Sequence, residues 1–441
     1  MSEFQQQALE LARQQQAPDW LAPLRTSGAD QWAQAAWPTR RTEQWKYTPL
    51  IPLQKTWFNR WGEPDLAQAG SIDWIDPEAS RLVFVNGRFA ADLSSNDLPA
   101  EVVRFAEAGP EQRALIEQHL GQVVDSERHL FAALSNAWTD DGVLLHVPAG
   151  QQLSGPLYVV HVSTPEAEPT PAGQRLLIVL DSGAQASVVE HFASTADSQS
   201  GFVNSLTEVV VGDNARFRHC RVHLEQEDLI HVGGVHVNLG RASHMNGFTL
   251  AQGSRLKRID YQINHRGEGA ELVLNGIYLP RNRQLVDYHT NVEHCVPHCT
   301  TSETFRGIIG DSSRAVFNGR IHIHPDAQKT LAELSNKNLL TSDRAEVDTK
   351  PELEIYADDV RCAHGATVSQ LDPTALYYLQ SRGISRLEAE VMLSFGFINE
   401  LLREAPEPAL QAWLRRHLNV LLGRPEQLTR HLDTGIEDSL S

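Results

Sequence analysis

Two short stretches concentrate the side chains able to do metal or nucleophile chemistry. "DVRCAH" places Cys362 two residues before His364, and "VEHCVPHC" sets His294, Cys295, His298 and Cys299 close together. Residues two apart on a strand share a face, so strand geometry through 359–364 would project Cys362 and His364 together. A thiolate beside an imidazole suits soft or borderline metals, the iron of Fe–S clusters among them. The same pair could also be an activated nucleophile and its base, or simply a buried thiol and a hydrogen-bonded histidine. Two ligands do not complete a metal site, so others would have to come from elsewhere in the chain or from another chain. In the second stretch the C-x-x-x-C spacing suits Zn²⁺ less well than C-x-x-C, and no second half-site follows at finger spacing; a surface loop rich in His and Cys is the plainer reading. His322 and His324 of "RIHIH" share a strand face and read as hydrogen-bonded strand histidines, and Cys220 of "RFRHCRVH" reads as a core thiol. The chain has no G-x-x-x-x-G-K-[ST], no H-E-x-x-H and no G-x-S-x-G.

Composition narrows the classes. The 441 residues support two or three structural units and a large core. A formal net charge of -18 makes nucleic acid a poor partner. Four cysteines form no disulfide framework and fit a reducing compartment. The opening "MSEFQQQALELARQQQ" is polar and helical without an apolar signal region, and the longest aliphatic run is "LLIVL". These features predict a cytoplasmic protein.

The elements that must position the candidate residues fall into three regions. Residues 1–140 read as mostly helical, with an apolar stripe through Phe4, Ala8, Leu11 and Ala12, a packed connector "WPTRRTEQWKYTPL" and a second helical patch over 109–122. Residues 141–371 are β-rich. Turn residues and an alanine precede alternating strands at Ala186, Ala215, Ala242, Ala270, Ala315 and Ala345, which are 29, 27, 28, 45 and 30 residues apart. A period near 28 predicts a stacked β-solenoid, with an insertion in the 45-residue gap; a β-sandwich is the alternative. Residues 372–441 turn helical: Asp372 and Pro373 start one helix, Ser385 and Glu388 form a capping-box pattern for a second, and "ALQAWLRRHLNVLLG" makes a third. The leucine stripe of that third helix (Leu410, Leu414, Leu418, Leu421 and Leu422) either packs within the chain or awaits a partner. The tail "HLDTGIEDSLS" is polar and predicted to fray.

Taken whole, "AEVDTKPELEIYADDVRCAHGATVSQLD" followed by "YYLQSRGI", with "PTRRTEQWKYTPL" and "RAVFNGRIHI", resembles the SufB/SufD family of SUF iron–sulfur cluster assembly scaffold proteins, its SufD branch more than its SufB branch. The resemblance implies a right-handed parallel β-helix between helical N- and C-terminal regions. It implies a heterodimer with SufB through the β-helix, docking of the ATPase SufC on the C-terminal helices, and a homodimer when the chain is isolated. It places Cys362 and His364 near the SufB interface as candidate ligands of a nascent Fe–S cluster, transient and shared with SufB, with His364 the stronger candidate. ATP would be bound and hydrolysed by SufC, leaving this chain a non-catalytic scaffold. His294, Cys295, His298 and Cys299 stay outside the site so implied. Two competing readings are a β-solenoid enzyme acting on a carbohydrate-like substrate through the Cys362–His364 pair, and a structural paralogue that touches no metal.

Overall fold

Alternating strands separated by tight turns coil, in the computed structural model, into a two-sheeted parallel solenoid; the structure describes residues 2–423 apart from 127, 197, 198 and 226. Successive strands fall alternately in a ten-stranded and a nine-stranded sheet, giving about eight turns. Along the ten-stranded sheet Arg216, His244, Glu271, Thr300, Leu331 and Arg361 are register partners, each pair parallel, at spacings of 28, 27, 29, 31 and 30 residues. Parallel pairing between successive turns excludes the antiparallel sandwich.

The 45-residue gap holds no insertion. Ala270 precedes Glu271–Leu279 in the ten-stranded sheet, whereas Ala315 is the second residue of Arg314–Ile323 in the nine-stranded one. The alanine marker has moved three half-turns and changed sheets. One full turn after Ala270 stands Cys299, because Glu271 pairs with Thr300.

Inward-facing residues such as Val235, Ile259, Leu274, Tyr288 and Phe317 form one continuous core. Stacking buries each turn's inner face against its neighbours, which a single turn cannot do alone. Part of the interior is polar. The buried Glu190 accepts from Thr207 Oγ1 at 2.8 Å and sits 2.8 Å from His219 Nε2 and 3.5 Å from Arg221 Nε. Burial pushes the Glu190 carboxyl up, but Arg221 and His219 outweigh it and hold it at about 2.

The N-terminal region mixes helix and strand. Helices Glu3–Gln14, Ala22–Gln34 and Leu130–Trp138 pack an aromatic cluster (Phe4, Trp32, Phe58, Phe131, Trp138) onto Phe202 of the solenoid. The connector lies on the outer face: the Arg258 guanidinium stacks 3.9 Å from the Trp45 ring centroid, and Thr48 donates to buried Asp287. Arg81–Val85 joins the ten-stranded sheet in parallel with Leu157–Ser163 and turns back through Asn86 and Gly87, both at positive φ, into Arg88–Phe89. Val102–Arg104 closes the other sheet antiparallel. These short strands blunt the first end of the solenoid.

Beyond the last turn, Asp372 caps Pro373–Gln380, the Ser385/Glu388 capping box starts Arg386–Arg403, and Pro408–Leu421 follows. The last two helices fold back over the outer face of the ten-stranded sheet. Leu410, Leu414 and Leu418 are fully buried there with Phe248, Ile277 and Leu339. The leucine stripe is therefore consumed within the chain and offers no free docking face. Tyr377, Tyr378, Leu387 and Val420 point away into solvent. The "HLDTGIEDSLS" tail lies outside the described residues. No helix among the described residues is long and apolar enough to cross a membrane.

Candidate functional site at the open end of the solenoid

Glu346–Ile355 ends the nine-stranded sheet and Arg361–Gln370 ends the ten-stranded one. Each is a ten-residue edge strand with a neighbour on one side only. Such an edge presents a row of backbone donors and acceptors ready to pair with another chain. Pro351, in register with Gly319, is tolerated because no strand follows it.

The inner face of this last turn is uncovered as well. Ile355 and Val368, which continue the core columns of Ile323 and Asn338, are 43% and 50% exposed. An uncovered apolar face between two long edges is a surface built to be covered.

Cys362 and His364 stand in this opening. Their register partners Ala332 and Leu334 belong to the interior, so both side chains project from the inner face of the final strand, as the two-residue spacing predicts. Cys362 is half-buried against the core and His364 is exposed. Burial pushes the Cys362 thiol up, partly offset by the Ala332 backbone. That is the reverse of the lowered pKa of an activated thiolate. Coordination to a metal would take the thiol proton away directly.

The other sequence candidates separate. Cys220 is a core thiol in the layer beneath the C-terminal helices. His322 and His324 face outward, each 2.8 Å from Glu293 Oε2, while Arg320 donates to Oε1 of the same carboxylate at 2.7 Å. Of the "VEHCVPHC" group, His298 is exposed and Cys295 half-buried, while His294 and Cys299 point into the solenoid. His265 joins these two from one turn earlier, a residue that linear spacing did not bring forward. The signal for it is the 29-residue offset from His294, one turn of the solenoid.

Fold and opening together define an open-ended parallel β-helix protein, capped at one end and carrying a thiol and an imidazole at the other. Residues 162–397 match the family model described as the SufBD core domain of SUF system FeS cluster assembly, and residues 2–159 match that of the SufBD protein N-terminal region. The chain therefore belongs to the SufBD family of the SUF iron–sulfur cluster assembly system. It is 31% identical over 408 residues, 90% of each chain, to an iron–sulfur cluster assembly SufBD family protein of Synechocystis. It is also 31% identical to the iron–sulfur cluster assembly protein SufD of Escherichia coli, covering 85% of this chain and 86% of that one. The SufD of Bacillus subtilis is 27% identical across 89% of this chain and 91% of its own.

Proposed function

We propose that this chain is a non-catalytic scaffold subunit of SUF cluster assembly. Its open solenoid end pairs with the matching end of SufB, and a nascent Fe–S cluster is built at the seam, with Cys362 and His364 among its candidate ligands. The observation that carries this reading is the uncovered last turn: two unpaired edges and an exposed core face surround the only thiol–imidazole pair that projects from the solenoid's end among the described residues. The cluster is transient cargo shared with SufB. ATP hydrolysis belongs to SufC, docked on the exposed side of the C-terminal helices around Tyr377 and Leu387, since the leucine stripe is already buried. The domain organisation proposed with this role is an N-terminal region to 140, the solenoid over 141–371 and the docking helices from 372; the strands at 81–104 tie the first region into the sheets. An isolated chain would cover the same end with a second copy of itself.

The enzyme reading is less well supported, because burial raises the Cys362 thiol rather than activating it. The test is co-expression with SufB and SufC using Val368→Lys, which puts a charge on the exposed core face. The complex should be lost while the chain alone keeps its circular dichroism. An intact complex carrying Val368→Lys would refute pairing through this end.

A further inference from the structure

Where each strand of the nine-stranded sheet ends, the chain turns a corner, and side chains there point into the solenoid. Two successive corners carry histidine. His265 and His294 are register partners, both fully buried, with rings stacked at 4.3 Å between centroids and 13° between planes. Cys299, buried just beyond the second corner, completes a group: one nitrogen of each ring and the Cys299 Sγ all lie within 4.8 Å of one another.

Thr301 fixes how the rings are used. Its Oγ1 lies 3.0 Å from Nε2 of His265 and 3.0 Å from Nε2 of His294. A hydroxyl oxygen has two lone pairs and can accept an N–H from both rings at once. Both imidazoles then carry their proton on Nε2 and present a bare lone pair on Nδ1. Neither Nδ1 has a partner at good hydrogen-bonding geometry, although both rings are buried; the Ala270 backbone is close enough to interact with the His265 ring. If Thr301 instead donates to one ring, that ring keeps an orphaned Nδ1–H. Either way two buried nitrogens lack a well-placed partner in the chain alone, which is costly and unusual.

We propose that His265, His294 and Cys299 form an internal site for a thiophilic divalent cation of the Zn²⁺ type, held by the two Nδ1 atoms and the Cys299 thiolate, with Thr301 orienting both rings from behind. Two imidazoles and a thiolate select a borderline ion over Mg²⁺ or Ca²⁺. Bond lengths of about 2.0–2.1 Å to nitrogen and about 2.3 Å to sulfur require the three donors to draw together by roughly 1 Å. Binding releases the Cys299 thiol proton to solvent. A second N–H bond from each ligating imidazole to an oxygen acceptor is the usual outer arrangement of such sites. This site is separate from the solenoid's open end and does not depend on the scaffold reading.

The test uses the full chain carrying Cys295→Ser and Cys362→Ser, which removes the two partly exposed thiols. Expressed in cobalt-supplemented medium, it should contain about one Co²⁺ per chain, with a near-ultraviolet thiolate-to-cobalt band and visible bands of four-coordinate Co²⁺. Adding Cys299→Ala should abolish the near-ultraviolet band and lower cobalt content about tenfold or more. Cobalt well below stoichiometry in the Cys295→Ser/Cys362→Ser chain, or cobalt unchanged by Cys299→Ala, would overturn the site. Should Cys299→Ala fail to fold, the cobalt content and band of the parent chain alone decide the matter.

Discussion

Replacing His364 by alanine separates a cluster ligand from a structural histidine. The side chain is exposed on the last strand, and among the described residues no hydrogen bond or ion pair holds it. Its removal deletes little buried area, so stability should change by no more than about 0.5 kcal/mol, a shift of about 2 °C or less in melting temperature for a chain of this size. A ligand or orienting group at a forming cluster is worth far more: its loss should lower cluster yield by about tenfold or more. The assay co-expresses the chain with SufB and SufC and measures iron and sulfide per complex, complex size and melting temperature for wild type and His364→Ala together. The expected result is an intact complex of normal size and melting temperature with little iron or sulfide. Cys362→Ser should give the same loss or a smaller one, because thiolates can also come from the partner chain. Normal iron and sulfide in an intact His364→Ala complex would refute the assignment. A large fall in melting temperature would contradict the exposure on which the magnitude rests.

Four further variants probe the fold and its surfaces. Leu414→Ala empties a fully buried position between the last helix and the ten-stranded sheet and should cost about 2–5 kcal/mol in denaturant unfolding; deleting the chain after Asp372 should be worse, since it bares Phe248, Ile277 and Leu339. Glu190→Gln leaves Arg221 buried without its counter-charge and should cost about 3–5 kcal/mol at neutral pH. Because the Glu190 carboxyl is depressed to about 2 from 4.5, its stabilisation is present above pH 4.5 and is lost as pH falls from there towards 2, so wild type and variant should converge in acid unfolding curves. Leu387→Asp, on the 70% exposed side of the C-terminal helices, should leave the melting temperature unchanged and weaken capture of SufC in a pull-down; undiminished capture would move the docking surface elsewhere.

The solenoid was legible in the sequence because tight turns and alternating strands recur at nearly constant spacing, and because only stacking can bury such short strands. The marker was less faithful than the architecture. Alanine can serve at the start of either sheet's strands, so the spacing to Ala315 suggests an insertion where Cys299 in fact continues the column. The strands at 81–104 were missed although "VFVNGRF" carries the Asn-Gly hairpin signal between apolar residues; helices on both sides masked it. The leucine stripe announced an apolar face but not its cover, which is fixed by the path of the chain back over the sheet. The shared face of Cys362 and His364 followed from strand period alone, whereas their position at an uncovered end required the count of turns. The interior charges around Glu190 and the approach of His265 to His294 depend on neighbours a full turn away, which local pattern does not reveal.

The central claim is that SufB completes the last turn, and hydrogen–deuterium exchange tests it most directly. The outward amides of Glu346–Ile355 and Arg361–Gln370 have no strand beyond them in this chain, so in dilute monomer they should exchange quickly. In the complex with SufB they should become protected together, as edge strands paired by a partner do. If both strands exchange equally fast in the complex, and protection appears on another face, the account of this end as the assembly seam is contradicted.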